Sequence, residues 1–118
     1  DCSGEFPYPT ETKDVHFEVE MIVALKSGGT NIEPTDAMQL VFGYGVGLDM
    51  TRRDLQSEMK KMGRPWEIGK AFERSAPMGP LVPISKTGQL DSGSISLSVD
   101  GNVRQCGNLN QMIWKRRL

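Results

Sequence analysis

The 118-residue chain carries a formal net charge of −1, with 37% hydrophobic and 25% charged residues, the balance of one ordinary compact soluble domain. So even a charge gives no electrostatic grip on nucleic acid or an anionic membrane, and no run of 18 apolar residues supplies a membrane helix. Cys2 and Cys106 are too few for a disulfide framework or a zinc site; they read as free thiols of a cytoplasmic protein, and the opening residues lack the charged-then-apolar pattern of a secretory signal.

Residues 1–14 are rich in Gly, Pro, Thr and acids, and Pro7 and Pro9 make them an extended arm. From Val15 to Leu25 the sequence alternates: Val15, Phe17, Val19, Met21, Val23 and Leu25 on one face, His16, Glu18, Glu20, Ile22 and Ala24 on the other. That period of two predicts a strand, ended by Ser27-Gly28-Gly29. Next, Pro34-Thr35-Asp36 predicts a helix start capped by Thr35, with a stripe of Ala37, Met38, Val41 and Phe42 and a stop at Gly43. Tyr44 to Met50 follows as a strand whose glycines permit close backbone approach.

Arg52 to Met62 has Leu55, Met59 and Met62 at helical spacing before Gly63 and Pro65. Ala76-Pro77-Met78-Gly79-Pro80 is a loop, and Leu81 to Ile84 a short edge strand interrupted by Pro83. Ser94 to Val99 alternates apolar residues with serines; Asp100-Gly101-Asn102 then turns the chain back through Val103 to Cys106 as a hairpin. Many short strands with one or two short helices give a β-rich α+β fold of mixed sheets.

The sharpest chemical signal is Glu18-Val19-Glu20. Two carboxylates two residues apart on a strand share a face and repel unless a cation or protons intervene. Hard divalent ions such as Mg²⁺, Mn²⁺ or Ca²⁺ seek such oxygens; the plainer reading is a solvated strand face. Asp49, followed by Arg52-Arg53-Asp54-Leu55-Gln56, puts an acid beside an Arg-rich helix start suited to an anionic ligand, or simply a solvated helix cap. Lys70 is by local reasoning an ordinary surface lysine. His16, the only histidine, shares the face of Glu18 and Glu20, where it serves as a ligand, a base or a polar strand residue. No G-x-S-x-G surrounds a serine. Lys115-Arg116-Arg117 reads as a solvated basic tail.

Taken together and in order, His16-Phe17-Glu18-Val19-Glu20-Met21, Val41-Phe42-Gly43-Tyr44-Gly45-Val46-Gly47-Leu48-Asp49, Arg52-Arg53-Asp54-Leu55-Gln56, Lys70-Ala71-Phe72 and Ala76-Pro77-Met78-Gly79-Pro80 resemble the fumarylacetoacetate hydrolase family. The run from Gly47 to Gln56, continuing to Gly63-Arg64-Pro65-Trp66, is similar to its fumarylpyruvate hydrolase branch. The resemblance implies a divalent metal, Mg²⁺ first and Mn²⁺ or Ca²⁺ as alternatives, held by Glu18, Glu20 and Asp49. It places Arg53 and Gln56 at the substrate, and Lys70 at both metal and substrate. The implied reaction is hydrolysis of a carbon–carbon bond in a small 2,4-dioxo acid, an acylpyruvate such as fumarylpyruvate.

The family pattern continues on both sides. Upstream it has a segment whose His and Glu supply a base, and downstream a helix and a glycine-rich loop. Residues 1–118 are therefore expected to be one truncated domain, the central segment of a larger one. Exposed apolar edges predict a homo-oligomer, at least a dimer. Two functions stand side by side: a metal-dependent acylpyruvate hydrolase, and a non-catalytic remnant that binds metal or dicarboxylate. A decarboxylase or isomerase of the same family shares these residues.

Overall fold

The computed structural model describes residues 4–113; Cys2, Trp114 and the Lys115-Arg116-Arg117 run lie outside the described residues. Among the described residues, five strands form two sheets: β1 (Val15–Leu25), β2 (Val41–Arg52) and β3 (Val82–Pro83) in the order β1-β2-β3, and the hairpin β4 (Ser94–Val99) with β5 (Asn102–Asn108). The helices are short: α1 (Arg53–Lys61), α2 (Glu67–Lys70) and α3 (Ile84–Thr87). The fold is thus the expected β-rich α+β fold of mixed sheets. Among the described residues no helix is long and apolar enough to cross a membrane.

The chain divides into two compact units. One joins the described residues up to Glu20 with Gly47–Gly79, and buries Val19 and Met50. The other joins Met21–Val46 with the described residues from Pro80 on, and buries Val41 and Tyr44. Strand β1 has the bounds its alternation predicts, and α1 ends one residue before Met62, with Gly63 at φ +64° just beyond.

The helix expected from Thr35 does not form. In its place stands a single 3-10 turn, Ala37–Leu40, and Val41 and Phe42 belong to β2. Thr35 is not the cap: Asp36 precedes the turn, and its Oδ1 accepts a bond of 3.1 Å from Gln39 Nε2. The sheet claims the helical stripe instead. Lys26 N donates to Leu40 O at 2.8 Å, and Gly43 lies opposite Pro83 in an antiparallel β2–β3 ladder. A Cβ at Gly43 would run into the carbonyl of Val82, so this close approach requires glycine.

The hairpin has the expected turn, with Asp100 and Gly101 at φ 51° and 77°, the left-handed pair of a type I′ connection. A bulge lies between Leu97 and Ser98. The single turns α2 and α3 are too short to carry a helical period and were not expected.

Candidate functional site

The site lies wholly within the first unit and grows from where β1 begins and β2 ends. Asp14 O, just before β1, accepts from Arg53 N at 2.8 Å, at the first residue of α1. The Asp54 carboxylate reinforces this tie, accepting from Thr12 Oγ1 (2.6 Å), Lys13 N (2.9 Å) and Leu55 N (2.9 Å). The start of β1 is thereby fixed beside the start of α1, which brings Glu18 to Arg53. On β2, Leu48 N and Met50 N donate to Pro77 O (3.0 Å) and Ser75 O (2.9 Å), which anchors the backbone on either side of Asp49. Helix α2 docks on α1 through Gly69, where an added Cβ would stand 2.9 Å from Gln56 Cβ and 3.0 Å from Gln56 N. That contact sets Lys70, the last residue of α2, over the strands.

Glu18, Glu20 and Asp49 each present a carboxylate oxygen within 4.8 Å of the others. Lys70 Nζ donates to Asp49 Oδ2 (2.8 Å), Glu18 Oε2 (3.0 Å) and Thr51 Oγ1 (2.7 Å). The other oxygen of Glu18 accepts from Arg53 Nη2 at 2.8 Å, while Arg53 Nη1 donates to Gln56 Oε1 at 2.6 Å. Six expected residues, Glu18, Glu20, Asp49, Arg53, Gln56 and Lys70, thus converge. His16 does not join them: it is exposed, and its Nε2 lies 3.1 Å from Asp14 Oδ1.

Thr51 escaped the sequence reading, although its hydroxyl is fully buried against Lys70. The available signal was its spacing: Asp49 and Thr51 stand two apart on one strand and share a face.

The electrostatics divide the acids. Burial pushes the Glu18 carboxyl up, but hydrogen bonds from Lys70 and Arg53, with their positive charges, outweigh it and hold the group below the usual 4.5. Glu20 is exposed as a residue, yet its carboxyl lies above 4.5, because partial desolvation and then the charges of Asp49 and Glu18 oppose its ionisation, and only Lys70 acts the other way. No cation lies within salt-bridge distance of Glu20 among the described residues. Burial pulls the Lys70 ammonium down, yet its bonds to Asp49 and Glu18 prevail and raise it above 10.5, so it is a fixed cation.

This donor set fits a hard divalent ion. Oxygen ligands bound at about 2.0–2.6 Å lie at most about 4–5 Å apart across the ion, the spread the three carboxylates have. Two of the three already share a cation, the ammonium of Lys70.

Residues 3–117 match the family described as Fumarylacetoacetate (FAA) hydrolase C-terminal. The chain is 37% identical over 110 residues to the fumarylpyruvate hydrolase of a Ralstonia species, covering 93% of this chain and 57% of that one. It is 42% identical over 110 residues to the oxaloacetate tautomerase YcgM of Escherichia coli, covering 91% and 49%. The crystal structure of fumarylpyruvate hydrolase from Pseudomonas aeruginosa in complex with Mn²⁺ and pyruvate matches with a TM-score of 0.89 at 53% identity, over 93% of this chain and 47% of that one. The chain spans about half the length of these relatives. With a family match over nearly every residue and the acid cluster formed, the chain belongs to the fumarylacetoacetate hydrolase family.

Proposed function

We propose that this chain carries the metal and substrate site of an acylpyruvate hydrolase, which cleaves a carbon–carbon bond of a 2,4-dioxo acid such as fumarylpyruvate. The observation that carries this reading is the convergence of Glu18, Glu20 and Asp49 beside Lys70 and Arg53. Glu18, Glu20 and Asp49 would hold the ion, with Mg²⁺ the first choice and Mn²⁺, present in the Pseudomonas relative, the first alternative. When bound, the ion supplies Lewis acidity to the dioxo unit.

The protein's own groups do the rest. Lys70 stays protonated and offsets negative charge that develops on the substrate oxygens. Arg53 steadies Glu18 and draws in a substrate carboxylate. Gln56, whose Oε1 is taken by Arg53, keeps its amide N–H groups for that carboxylate. His16, oriented by Asp14, is this chain's candidate for accepting a proton from water.

A second reading, a keto–enol isomerase, is favoured by the name of the Escherichia coli relative, an oxaloacetate tautomerase. It needs the same metal and the same carboxylate grip, but no attacking water.

The deciding experiment follows loss of fumarylpyruvate absorbance with Mg²⁺ or Mn²⁺ against an EDTA control, and runs an oxaloacetate tautomerisation assay in parallel. Metal-dependent loss of fumarylpyruvate supports the hydrolase, and activity on oxaloacetate alone supports the isomerase. Metal binding without either activity leaves a binding module, the central segment of a larger domain. His16→Ala should lower turnover and leave metal affinity intact.

We further propose a cytoplasmic homo-oligomer, at least a dimer. The free thiol of Cys106 supports the location. Leu25, Phe42 and Val46, all exposed apolar residues of the second unit, support the assembly. A monodisperse monomer by light scattering overturns the latter.

A further inference from the structure

Thr51 is fully buried, and no role falls to it in the reading above. A hydroxyl so deep must be hydrogen-bonded, and its partner is Lys70 Nζ at 2.7 Å, the shortest of the three bonds that ammonium makes. An ammonium has three protons. Here they go to Asp49, Glu18 and Thr51, so the group is saturated.

The distribution is unexpected on electrostatic grounds. A carboxylate is a stronger acceptor for an ammonium than a neutral hydroxyl. A third carboxylate, Glu20, has an oxygen within 4.8 Å of those of Glu18 and Asp49, yet the third proton goes to Thr51. The hydroxyl is well suited to hold it. Thr51 is β-branched, stiff at χ1 and enclosed on a strand, so its oxygen is a fixed point.

We propose that Thr51 is a positioning residue that holds the Lys70 ammonium away from Glu20, and so keeps one metal-binding carboxylate unneutralised for a divalent cation. The proposal rests on the metal reading of the site. Without the hydroxyl, Lys70 swings its free proton to Glu20, and an incoming ion must displace it.

The test is calorimetric titration with Mn²⁺ of the whole chain and its variants, each checked for folding by circular dichroism. Thr51→Val keeps the shape and removes the acceptor; it should bind Mn²⁺ about tenfold more weakly, the scale of one hydrogen bond to a charged group. Thr51→Ser restores the hydroxyl and should restore the affinity. The double variant Thr51→Val/Lys70→Met removes the competing cation and should bind Mn²⁺ at least as tightly as wild type. A merely structural role predicts the opposite, with the double variant as weak as the single one.

Should Thr51→Val not fold, Thr51→Ala removes the same oxygen without adding a carbon and is read the same way. Wild-type affinity in Thr51→Val, or no recovery in the double variant, overturns the positioning role alone. Absence of Mn²⁺ binding by the wild type overturns the metal reading, and this proposal with it.

Discussion

The carboxylate site and the β4–β5 hairpin are held together in opposite ways. In the hairpin every ladder pair joins residues close in sequence around one turn, so local alternation and the Asp100-Gly101 backbone suffice. In the site, Glu18 reaches Arg53 and Lys70 across 35 and 52 residues. Such contacts need the intervening chain in its folded place, with α2 docked on α1. The hairpin is therefore robust to charge and sensitive to backbone, whereas the site is robust to local backbone preference and sensitive to charge. The contrast can be broken by exchanging a charge in one region and a backbone constraint in the other.

The largest effect is expected at Glu20, the one acid of the three that has no cation within salt-bridge distance among the described residues. Glu20→Gln should weaken Mn²⁺ binding by about a hundredfold or more, since even outer partners of metal ligands are worth 10–100-fold. The same substitution should stabilise the metal-free protein at pH 7. The Glu20 carboxyl lies above its ordinary 4.5 through partial desolvation and the charges of Asp49 and Glu18. An acid raised in the folded state favours the fold fully below its unfolded pKa, and that contribution is lost as pH rises through the folded one. Glutamine keeps the neutral form at every pH, so its advantage in urea unfolding should appear at pH 7 and vanish at about pH 4. Equal urea midpoints at pH 7 would show that the three carboxylates do not repel one another.

Next comes Lys70→Met, which leaves Glu18 and Asp49 without their shared ammonium. The expected loss in the metal-free protein is about 1–2 kcal/mol, between the values for exposed and buried pairs, because about a third of each side chain meets solvent. Saturating Mn²⁺ should recover most of it, as a second cation takes the place of the first. A smaller and purely local cost, about 1 kcal/mol, is expected of Gly101→Ala, whose φ of 77° disfavours a side chain. Its thermal midpoint should fall while Mn²⁺ affinity stays as in wild type.

This contrast also explains what could be read from the sequence. Strand β1 and the hairpin announce themselves, because a period of two is written in the residues themselves. The Glu18 and Glu20 pair was legible for the same reason. The segment after Thr35 was misread because Ala37, Met38, Val41 and Phe42 have helical spacing, and only pairing of β2 with its neighbours decides against it. Lys70 looks like any surface lysine until Gly69 lets α2 settle on Gln56. Its place at the acids came from resemblance to the family, and spacing alone did not carry it. Gly69 reports its role only through Gln56 on the preceding helix, and Thr51 offers no local signal beyond sharing a strand face with Asp49.

The smallest effect tests how the arm is tied to the site. Asp54 lies below its ordinary 3.8, chiefly through the Lys13 N–H and then the Thr12 hydroxyl. An acid lowered in the folded state stabilises it above the unfolded pKa, and that contribution is lost as pH falls through the folded one. The bonds from Thr12 and Lys13 should therefore persist through neutral pH and fail only in strong acid. Asp54→Asn replaces one acceptor oxygen with a donor, so the Lys13 amide should exchange faster with solvent at neutral pH, while global unfolding barely changes. Wild type and variant should converge once the pH falls below the carboxylate range. Mn²⁺ affinity should hold, because Asp14 O still accepts from Arg53 N and keeps β1 beside α1. Unchanged Lys13 exchange in the variant would mean that this backbone bond alone fixes the arm, and that the Asp54 carboxylate is incidental to the geometry of Glu18.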